Sequence, residues 1–415
     1  MKRSFRCMVA MAAGINILLL SGCSKEEPMV SMNPVTGDTG MEQTPIVDYE
    51  LPRMRPNVLV DHHGYQISSD KVAVVKGAAL PRGFELLDAQ SHRVVFTGIL
   101  TEVQHLQEED CYIAYADFSD FNENGKYYLR CDIVGESDRF PVNSQIYKDS
   151  FHRVLSETEQ DCKDGNISLE AINRMLIAYE WYPGLFEDMN GDTVPDTLKV
   201  IADWIEKHVQ ELSAENDFSA AVLAKFSYLY QDFDRKYANQ CLQMASNLHE
   251  QSTGSKGADS FYALTELYRA SGLAEYKKQI SGQTVFFESS NSYLEQMGYL
   301  YGSMTYMGTR QQIDVDLCNV LMTNIMDRAE ETAALHSDTL HPLSPRNNGE
   351  QEVLKKSFEL ACANYVTNNY QYNHVQEDFA HYLMGRNRDS LCMYEKLEDK
   401  SSCLVLLAQL ANIYN

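Results

Sequence analysis

The sequence has little basic charge, few tryptophans and no long apolar run beyond its N-terminus. Its 35 Lys and Arg residues face 59 Asp and Glu residues, which gives a formal net charge of −24. Proteins that bind nucleic acid need a basic footprint for the phosphates, so nucleic acid is excluded as the expected partner. Glycan clefts usually stack sugar rings on flat aromatic faces. The only two tryptophans, Trp181 and Trp204, lie in segments that predict packed helix.

Metal-binding motifs are equally scarce. The ten cysteines form no C-x-x-C pair, which argues against zinc. Neighbouring histidines such as His62 and His63 point to opposite sides of an extended segment and make a poor metal pair. The acidic run from Asp188 to Asp192 resembles a calcium loop, but Thr193 and Lys199 stand where an EF-hand needs Gly and Glu. We therefore predict no cofactor, with calcium left open.

The cysteines also leave one disulfide question open. Cys111 and Cys131 lie in neighbouring predicted strands and could form a bridge. A buried, unpaired cysteine is the commoner state of such residues, and we favour it here.

The N-terminus predicts export and lipid anchoring. Lys2, Arg3 and Arg6 precede an apolar run from Met8 to Leu20, which is the pattern of a signal peptide rather than of a spanning helix. The ending Leu20-Ser21-Gly22-Cys23 resembles the bacterial lipobox, which implies removal of residues 1–22 and lipidation of Cys23. The alternative is an ordinary signal peptide with a chance cysteine. We expect an extracytoplasmic, membrane-anchored bacterial lipoprotein.

The next segment predicts a flexible tether. Residues 23–56 are rich in Ser, Glu, Pro, Met and Gly and have few aromatic or β-branched residues, so they cannot bury enough surface to fold.

Residues 57–144 read as a small β-sandwich. Short runs that favour strands are separated by Gly, Pro, Asn and Asp. Within them, residues 114–130 predict a β-hairpin, because Asn122-Glu123-Asn124-Gly125 offers turn chemistry between two alternating segments. The predicted strands are Val58–Val60, Lys71–Val75, Phe84–Leu87, Arg93–Thr97, Tyr112–Phe118 and Lys126–Val134.

In residues 145–415 the apolar residues recur every three or four positions, whereas in the preceding segment they recur every two. Ile201, Ile205 and Val209 illustrate the helical stripe. Paired helices in succession form an open solenoid or a closed toroid. The sequence shows no repeat of fixed length, which disfavours the solenoid. About twelve helices are predicted, at 146–157, 166–183, 195–213, 218–231, 235–250, 258–271, 273–282, 290–303, 311–334, 350–368, 372–384 and 400–413.

Several stretches, in the right order, resemble glycoside hydrolase family 9 and the immunoglobulin-like module that precedes its catalytic domain in many members. They are VLVDHHGYQISSDKVAVV (58–75), YADFSDFNENGKYYLR (115–130), LIAYEWYPGLFEDMNGDTVPDTLKVIADWIEK (176–207), DFDRKYANQCLQMASNLHE (232–250), ALTELYRASGLAEYKKQI (263–280) and HYLMGRNRDS (381–390). The resemblance implies an immunoglobulin-like β-sandwich followed by an (α/α)₆ toroid, in which six outer helices surround six inner ones.

The resemblance also implies an inverting hydrolase with a carboxylate base and a carboxylic acid. The family's base belongs to an Asp-Ala-Gly-Asp motif before the second helix, where this sequence has QDCKDGNISLE. Asp161 and Asp164 keep the spacing without the Ala-Gly between them, and they are the candidate base. Capping of the following helix explains them equally simply.

The acid has a weaker counterpart. The family's glutamate lies shortly before its last helix, and the corresponding segment RDSLCMYEKLEDK offers Glu395 and Glu398. A solvated charged face is the alternative explanation for both residues.

These observations predict a protein that binds or degrades a β-glucan type of polysaccharide or oligosaccharide, with catalysis weak or lost. Two alternatives stay open. One is an active inverting hydrolase that uses Asp161 or Asp164 as its base, and the other is a surface scaffold with no carbohydrate function.

Overall fold

A computed structural model describes residues 56–107, 109–208, 212, 216–252, 257–288, 290–338, 349–369 and 371–414. The predicted signal peptide, Cys23 and the predicted tether up to residue 55 lie outside these residues. The described residues fall within one compact unit. None of its helices has the length and apolarity needed to cross a membrane.

The N-terminal part is a sandwich of two sheets. The first sheet has the order β1-β3-β7-β6, and the second has the order β2-β10-β8-β4-β5 with β9 paired to β8. All neighbours are antiparallel except β2 and β10. The strands are β1 (Val58–Leu59), β2 (Tyr65–Gln66), β3 (Val72–Gly77), β4 (Gly83–Asp88), β5 (Val94–Ile99), β6 (Thr101–Leu106), β7 (Cys111–Asp117), β8 (Gly125–Cys131), β9 (Gly135–Glu136) and β10 (Phe140–Asn143).

The six predicted strands are present, but the predicted hairpin is wrong. β7 pairs with β3 and β6, whereas β8 pairs with β4, β9 and β10, so the two strands lie in different sheets. Phe118 and Phe121, in the connection between them, are buried among the core residues of the sandwich. The connection therefore crosses the sandwich instead of reversing within one sheet. Cys111 and Cys131 are free thiols on these two strands.

Thirteen α-helices follow among the described residues. They are α1 (Ile146–Asp164), α2 (Leu169–Trp181), α3 (Asp196–Lys207), α4 (Asn216–Tyr230), α5 (Arg235–Gln251), α6 (Ala258–Ser271), α7 (Ala274–Ser281), α8 (Thr284–Glu288), α9 (Met297–Gly308), α10 (Val315–Asp338), α11 (Gly349–Thr367), α12 (Asn373–Leu383) and α13 (Leu404–Ile413). Eleven predicted segments coincide with observed helices, and the majority of their ends differ by only a few residues. The segment predicted at 290–303 is displaced, because a 3₁₀ turn at Ser292–Glu295 precedes α9.

The predicted toroid is confirmed. Helices α2, α4, α6, α9, α11 and α13 form the inner ring, in which α2 contacts α4 and α13, α4 contacts α6, and α6 contacts α9. Tyr301 of α9 meets Phe358 of α11 through their rings, with centroids 5.3 Å apart. Every residue of α6 from Ser260 to Arg269 is buried, polar and charged ones included, so this helix is surrounded by protein on all sides.

Glycine sets the spacing between α6 and α9. A β-carbon at Gly302 would lie 2.7 Å from the Phe261 ring, and one at Gly298 would lie 2.6 Å from the backbone of Ala258. The two helices therefore approach more closely than side chains at these positions would allow.

The sandwich docks on the toroid through two short segments. His381 Nδ1 lies 2.7 Å from Asp61 Oδ2, and the His381 ring packs against Tyr65 with centroids 4.9 Å apart. Arg386 is fully buried, where it donates to the carbonyl of Val72 at 2.8 Å and to Asp378. The family-like stretches 58–75 and 381–390 are therefore in contact with each other.

A buried carboxyl near this interface makes stability depend on pH. Glu377 is 4% exposed and accepts a hydrogen bond from Tyr414. Burial raises the pKa of Glu377 from 4.5 to about 7; Asp70 and Asp378 add to this effect, and the Tyr414 hydrogen bond and Arg386 oppose it. Since the folded state holds this proton more tightly, its contribution is complete below the unfolded pKa and is lost as pH rises through the folded pKa.

We expect Glu377→Gln to remove about 3 kcal/mol of pH dependence in the free energy of unfolding between about pH 4.5 and pH 8. Urea unfolding of both proteins across this range measures the difference. Glu330→Gln is the control, because Glu330 also accepts from a tyrosine hydroxyl (Tyr372, 2.7 Å) but is exposed. Equal pH dependence in wild type and Glu377→Gln would show that Glu377 ionises freely in the folded protein.

Candidate functional site

Asp161 and Asp164 lie in the last turn of α1, and both are exposed. The helix ends at Gly165, whose φ of 74° is the left-handed conformation that glycine adopts freely. Asp164 accepts hydrogen bonds from Gln160 at 3.0 Å. Ser168 caps α2 by accepting from the amide of Ala171 at 3.1 Å, so the expectation that the aspartates cap this helix is wrong.

Glu395 and Glu398 are also exposed. Glu395 belongs to a 3₁₀ turn, Tyr394–Lys396, that packs on α1 through Glu157. Glu157 Oε2 accepts from Tyr394 at 3.1 Å and from Lys400 at 2.6 Å. Since Glu157 lies one helical turn before Asp161, the structure places the segment of the candidate acid against the helix of the candidate base.

A cavity opens near the N-terminal ends of the inner helices α2, α9, α11 and α13. It has a volume of about 440 Å³ and is called here the mouth cavity. Aromatic, aliphatic and charged side chains share its wall, which is the mixture typical of sites for small molecules. The lining residues are Arg174, Met297, Tyr301, Gln351, Glu352, Leu354, Lys355, Phe358, Ser402 and Val405.

Four polar side chains form a cluster beside this cavity, called here the Glu170 cluster. Tyr301 donates to Glu170 Oε1 at 2.5 Å, and Arg174 lies 3.4 Å from the same atom. Arg174 Nη1 also donates to Asp399 Oδ2 at 2.7 Å. Burial raises the pKa of Glu170, against the opposing effects of Arg174 and the Tyr301 hydrogen bond. A carboxyl, a guanidinium and a phenol held together can both donate and accept hydrogen bonds with a polyhydroxylated ligand.

Sequence reasoning missed the Glu170 cluster. Its only local signal is the Glu170–Arg174 pair at helical spacing, which is common on helix surfaces. Tyr301 and Asp399 lie more than a hundred positions away along the chain and join the cluster only through the ring of inner helices.

The two tryptophans have different environments. Trp204 is 6% exposed and stacks on His208 within the outer layer, as a packed helix predicts. Trp181 is partly exposed and stacks on Tyr365, with ring centroids 4.5 Å apart and 13° between planes. This pair lies away from the mouth cavity, at the other end of the inner helices.

The calcium-like loop holds a lysine. Lys199 Nζ lies 2.8 Å from Asp196, 2.9 Å from Asp192 and 3.7 Å from Asp188. The ammonium group thus neutralises the carboxylates that a calcium ion would need. Among the described residues, no group of three or more His, Cys, Asp or Glu side chains is arranged to hold a metal.

Residues 53–136 match the family of cellulase N-terminal Ig-like domains. This N-terminal part is therefore similar to those domains, and the chain as a whole has the fold of solved family 9 structures, as the sequence resemblance implied. No curated protein matches the sequence.

Solved structures of family 9 proteins are similar to this one. A metagenome-derived glycoside hydrolase family 9 endoglucanase is 16% identical, with a TM-score of 0.68 over 81% of this chain and 84% of that chain. Bacteroides ovatus GH9 is 14% identical, with a TM-score of 0.68 over 86% and 99%. AaCel9A in complex with cellobiose-like isofagomine is 16% identical, with a TM-score of 0.65 over 81% and 83%. At these identities the similarity establishes the fold.

Proposed function

We propose that this protein is an extracytoplasmic bacterial lipoprotein that binds a β-glucan type of oligosaccharide in the mouth cavity and hydrolyses it weakly or not at all. The observation that carries the proposal is the contrast between the two regions. The mouth cavity has a wall of mixed apolar and polar side chains, with the half-buried Glu170 cluster beside it, whereas Asp161 and Asp164 are exposed in the last turn of α1.

The mouth cavity suits a sugar chain. Tyr301 and Phe358 contribute aromatic surface for the apolar faces of pyranose rings. Arg174, Glu352 and Lys355 contribute charged groups for the hydroxyls. The cellobiose-like ligand of AaCel9A supports the choice of glucan as the ligand class.

Weak catalysis follows from the surroundings of the carboxylates. An inverting hydrolase needs a base and an acid about 6.5–9.5 Å apart on opposite sides of the scissile bond. Asp161 and Asp164 are exposed in the last turn of α1, and neither lines the mouth cavity. Glu395 and Glu398 lack the buried environment on which a general acid depends.

The binding test uses residues 24–415 and calorimetric titration with cellotetraose. We expect Lys355→Ala to weaken binding about tenfold, the equivalent of one charge-assisted hydrogen bond. Lys278→Ala is the matched control, because Lys278 is exposed on the outer helix α7. Absence of binding to cellotetraose and to mixed-linkage glucan would contradict the proposal and favour the scaffold alternative.

Release of reducing ends from β-1,4- and mixed-linkage glucans tests catalysis. We expect little or no release, and Asp161→Ala and Asp164→Ala should change it by less than about twofold, since a positioned base contributes about 10²–10⁴-fold. Robust turnover that falls a hundredfold or more in either variant would make these aspartates the active site and overturn the proposal.

A further inference from the structure

A second large cavity lies at the opposite end of the toroid, where the inner helices finish. It has a volume of about 540 Å³ and is called here the rear cavity. Residues near the C-terminal ends of α2, α9, α11 and α13 line it, including Trp181, Met304, Met307, Asn364 and Tyr365. None of these residues lines the mouth cavity.

The rear cavity has an aromatic wall that is open to solvent. Trp181 and Tyr365 are stacked almost in parallel, and Tyr365 is 40% exposed. Phe358 lies behind Trp181, with ring centroids 5.8 Å apart and 19° between planes. Trp181 is thus stacked on both rings, and Tyr365, which Tyr182 meets at 82° with centroids 6.3 Å apart, provides the exposed aromatic surface of the stack. Such a surface binds the apolar face of a ring-shaped ligand.

A polar group without a partner lies in the same wall. Asn364 is fully buried, and neither its amide nitrogen nor its amide oxygen has a hydrogen-bond partner among the described residues. A buried amide is ordinarily paired, because leaving its donors and acceptor unmet is unfavourable. One side chain with both a donor and an acceptor to offer matches a ligand that carries neighbouring hydroxyls.

A smaller polar cavity of about 40 Å³ adjoins the rear cavity and shares Trp181, Met304, Gly308 and Tyr365 with it. Glu180 lines this inner space, and 20% of its side chain is accessible from inside the toroid. Lys225 lies 2.6 Å from Glu180 and 2.9 Å from Glu266, and Arg269 pairs with both carboxylates. Two acidic and two basic groups balance each other, so the site offers hydrogen bonds without a net charge that would attract an ion.

We propose that the rear cavity is a second binding site for a neutral sugar ring, such as a monosaccharide or the terminal residue of a short glycan. The ring stacks on Tyr365, and its hydroxyls pair with the amide of Asn364 and, at the inner end, with Glu180. The methionines Met304, Met307 and Met322 adapt to the remaining surface of the ligand. This site is separate from the mouth cavity and does not depend on the function proposed for that cavity.

The chain carries its own reporter for this test. Trp204→Phe leaves Trp181 as the only tryptophan, and its emission is titrated with glucose, xylose and cellobiose. We expect a saturable change that Asn364→Leu weakens about tenfold, the loss of roughly one to two hydrogen bonds. Leucine keeps the branching of the side chain and removes the unpaired amide, and the adjoining cavity of about 540 Å³ leaves room for its larger methyl groups, so this variant should unfold at the same temperature as the parent or higher. Tyr365→Ala, at a partly exposed position, should abolish the change.

Lys355→Ala distinguishes the two cavities, because Lys355 lines the mouth cavity alone. The proposal requires that Lys355→Ala leave the Trp181 response intact, even if binding in the mouth cavity is absent altogether. No saturable response to any of the three sugars would overturn it. Three other results would also overturn it. The first is a response that keeps its full affinity in Asn364→Leu, and the second is a response that disappears in Lys355→Ala. The third is a response to phenol without any response to the sugars.

Discussion

Replacing Cys23 with alanine will abolish the incorporation of labelled palmitate into this protein. The sulfur of Cys23 is the predicted acceptor of the lipid, and each buried methylene of an acyl chain adds about 0.8 kcal/mol of membrane affinity. Two or three chains therefore hold a protein stably, whereas the apolar run from Met8 to Leu20 is shorter than the roughly 20 residues that a spanning helix needs.

Cys7→Ala is the matched control for this experiment. Cys7 lies within the predicted signal peptide, so its loss should leave labelling of the mature protein unchanged. Labelling is the decisive measurement, because an uncleaved precursor could remain on the membrane without lipid. Equal labelling of Cys23→Ala and wild type, or no labelling of wild type, would show that the N-terminus is an ordinary signal peptide with a chance cysteine.

Lys225→Met will lower the free energy of unfolding by about 3–5 kcal/mol, the cost of breaking a buried ion pair. Lys225 is 2% exposed and lies between Glu180 and Glu266. Its removal leaves the buried Glu266 and the half-buried Glu180 with Arg269 as their one shared cation, and Thr305 as a further donor to Glu266. Methionine replaces most of the volume, so the loss reports the charge rather than a cavity. Urea unfolding with an unchanged m-value measures it.

Lys400→Met is the control for this second prediction. Lys400 also forms an ion pair at 2.6 Å, but its side chain and that of Glu157 are 36% and 38% accessible. Solvent screens such a pair, so we expect a change below about 1 kcal/mol. Similar losses in the two lysine variants would mean that the Lys225 cluster is hydrated. If the cluster is dry, Glu180→Gln in the Lys225→Met background should restore part of the lost stability.

The resemblance to family 9 describes the fold of this chain better than its chemistry. Two of the family-like stretches, 58–75 and 381–390, meet at the interface between sandwich and toroid through Asp61, His381 and Arg386. Fully buried contacts of this kind fix how two modules pack, whatever the cleft does. By contrast, the positions of the expected base and acid carry exposed aspartates and glutamates. Similarity at packing positions therefore accounts for the shared fold, and function has to be argued from the site itself.

The sequence by itself determined most of the local elements. The alternation of apolar and polar residues predicted six of the ten described strands, and the spacing of three and four located nearly every helix. The reason is that the positions a strand or a helix buries on one face recur at the period of its own backbone. One helix end was misplaced: α1 extends to Asp164, whereas the pattern predicted an end at residue 157. The reason is that the last turn of α1 is polar on the outside and gives no apolar signal.

Only the tertiary structure decided which elements meet. The two strands within residues 114–130 lie in different sheets, because Phe118 and Phe121 in their connection pack into the core between the sheets. The alternation of residues within each strand does not specify this arrangement. The Glu170 cluster joins α2, α9 and the turn before α13, and the rear cavity exists because four inner helices, α2, α9, α11 and α13, end around it. Contacts between residues far apart depend on closing the ring and packing its helices at fixed distances, and no local period in the sequence encodes that closure.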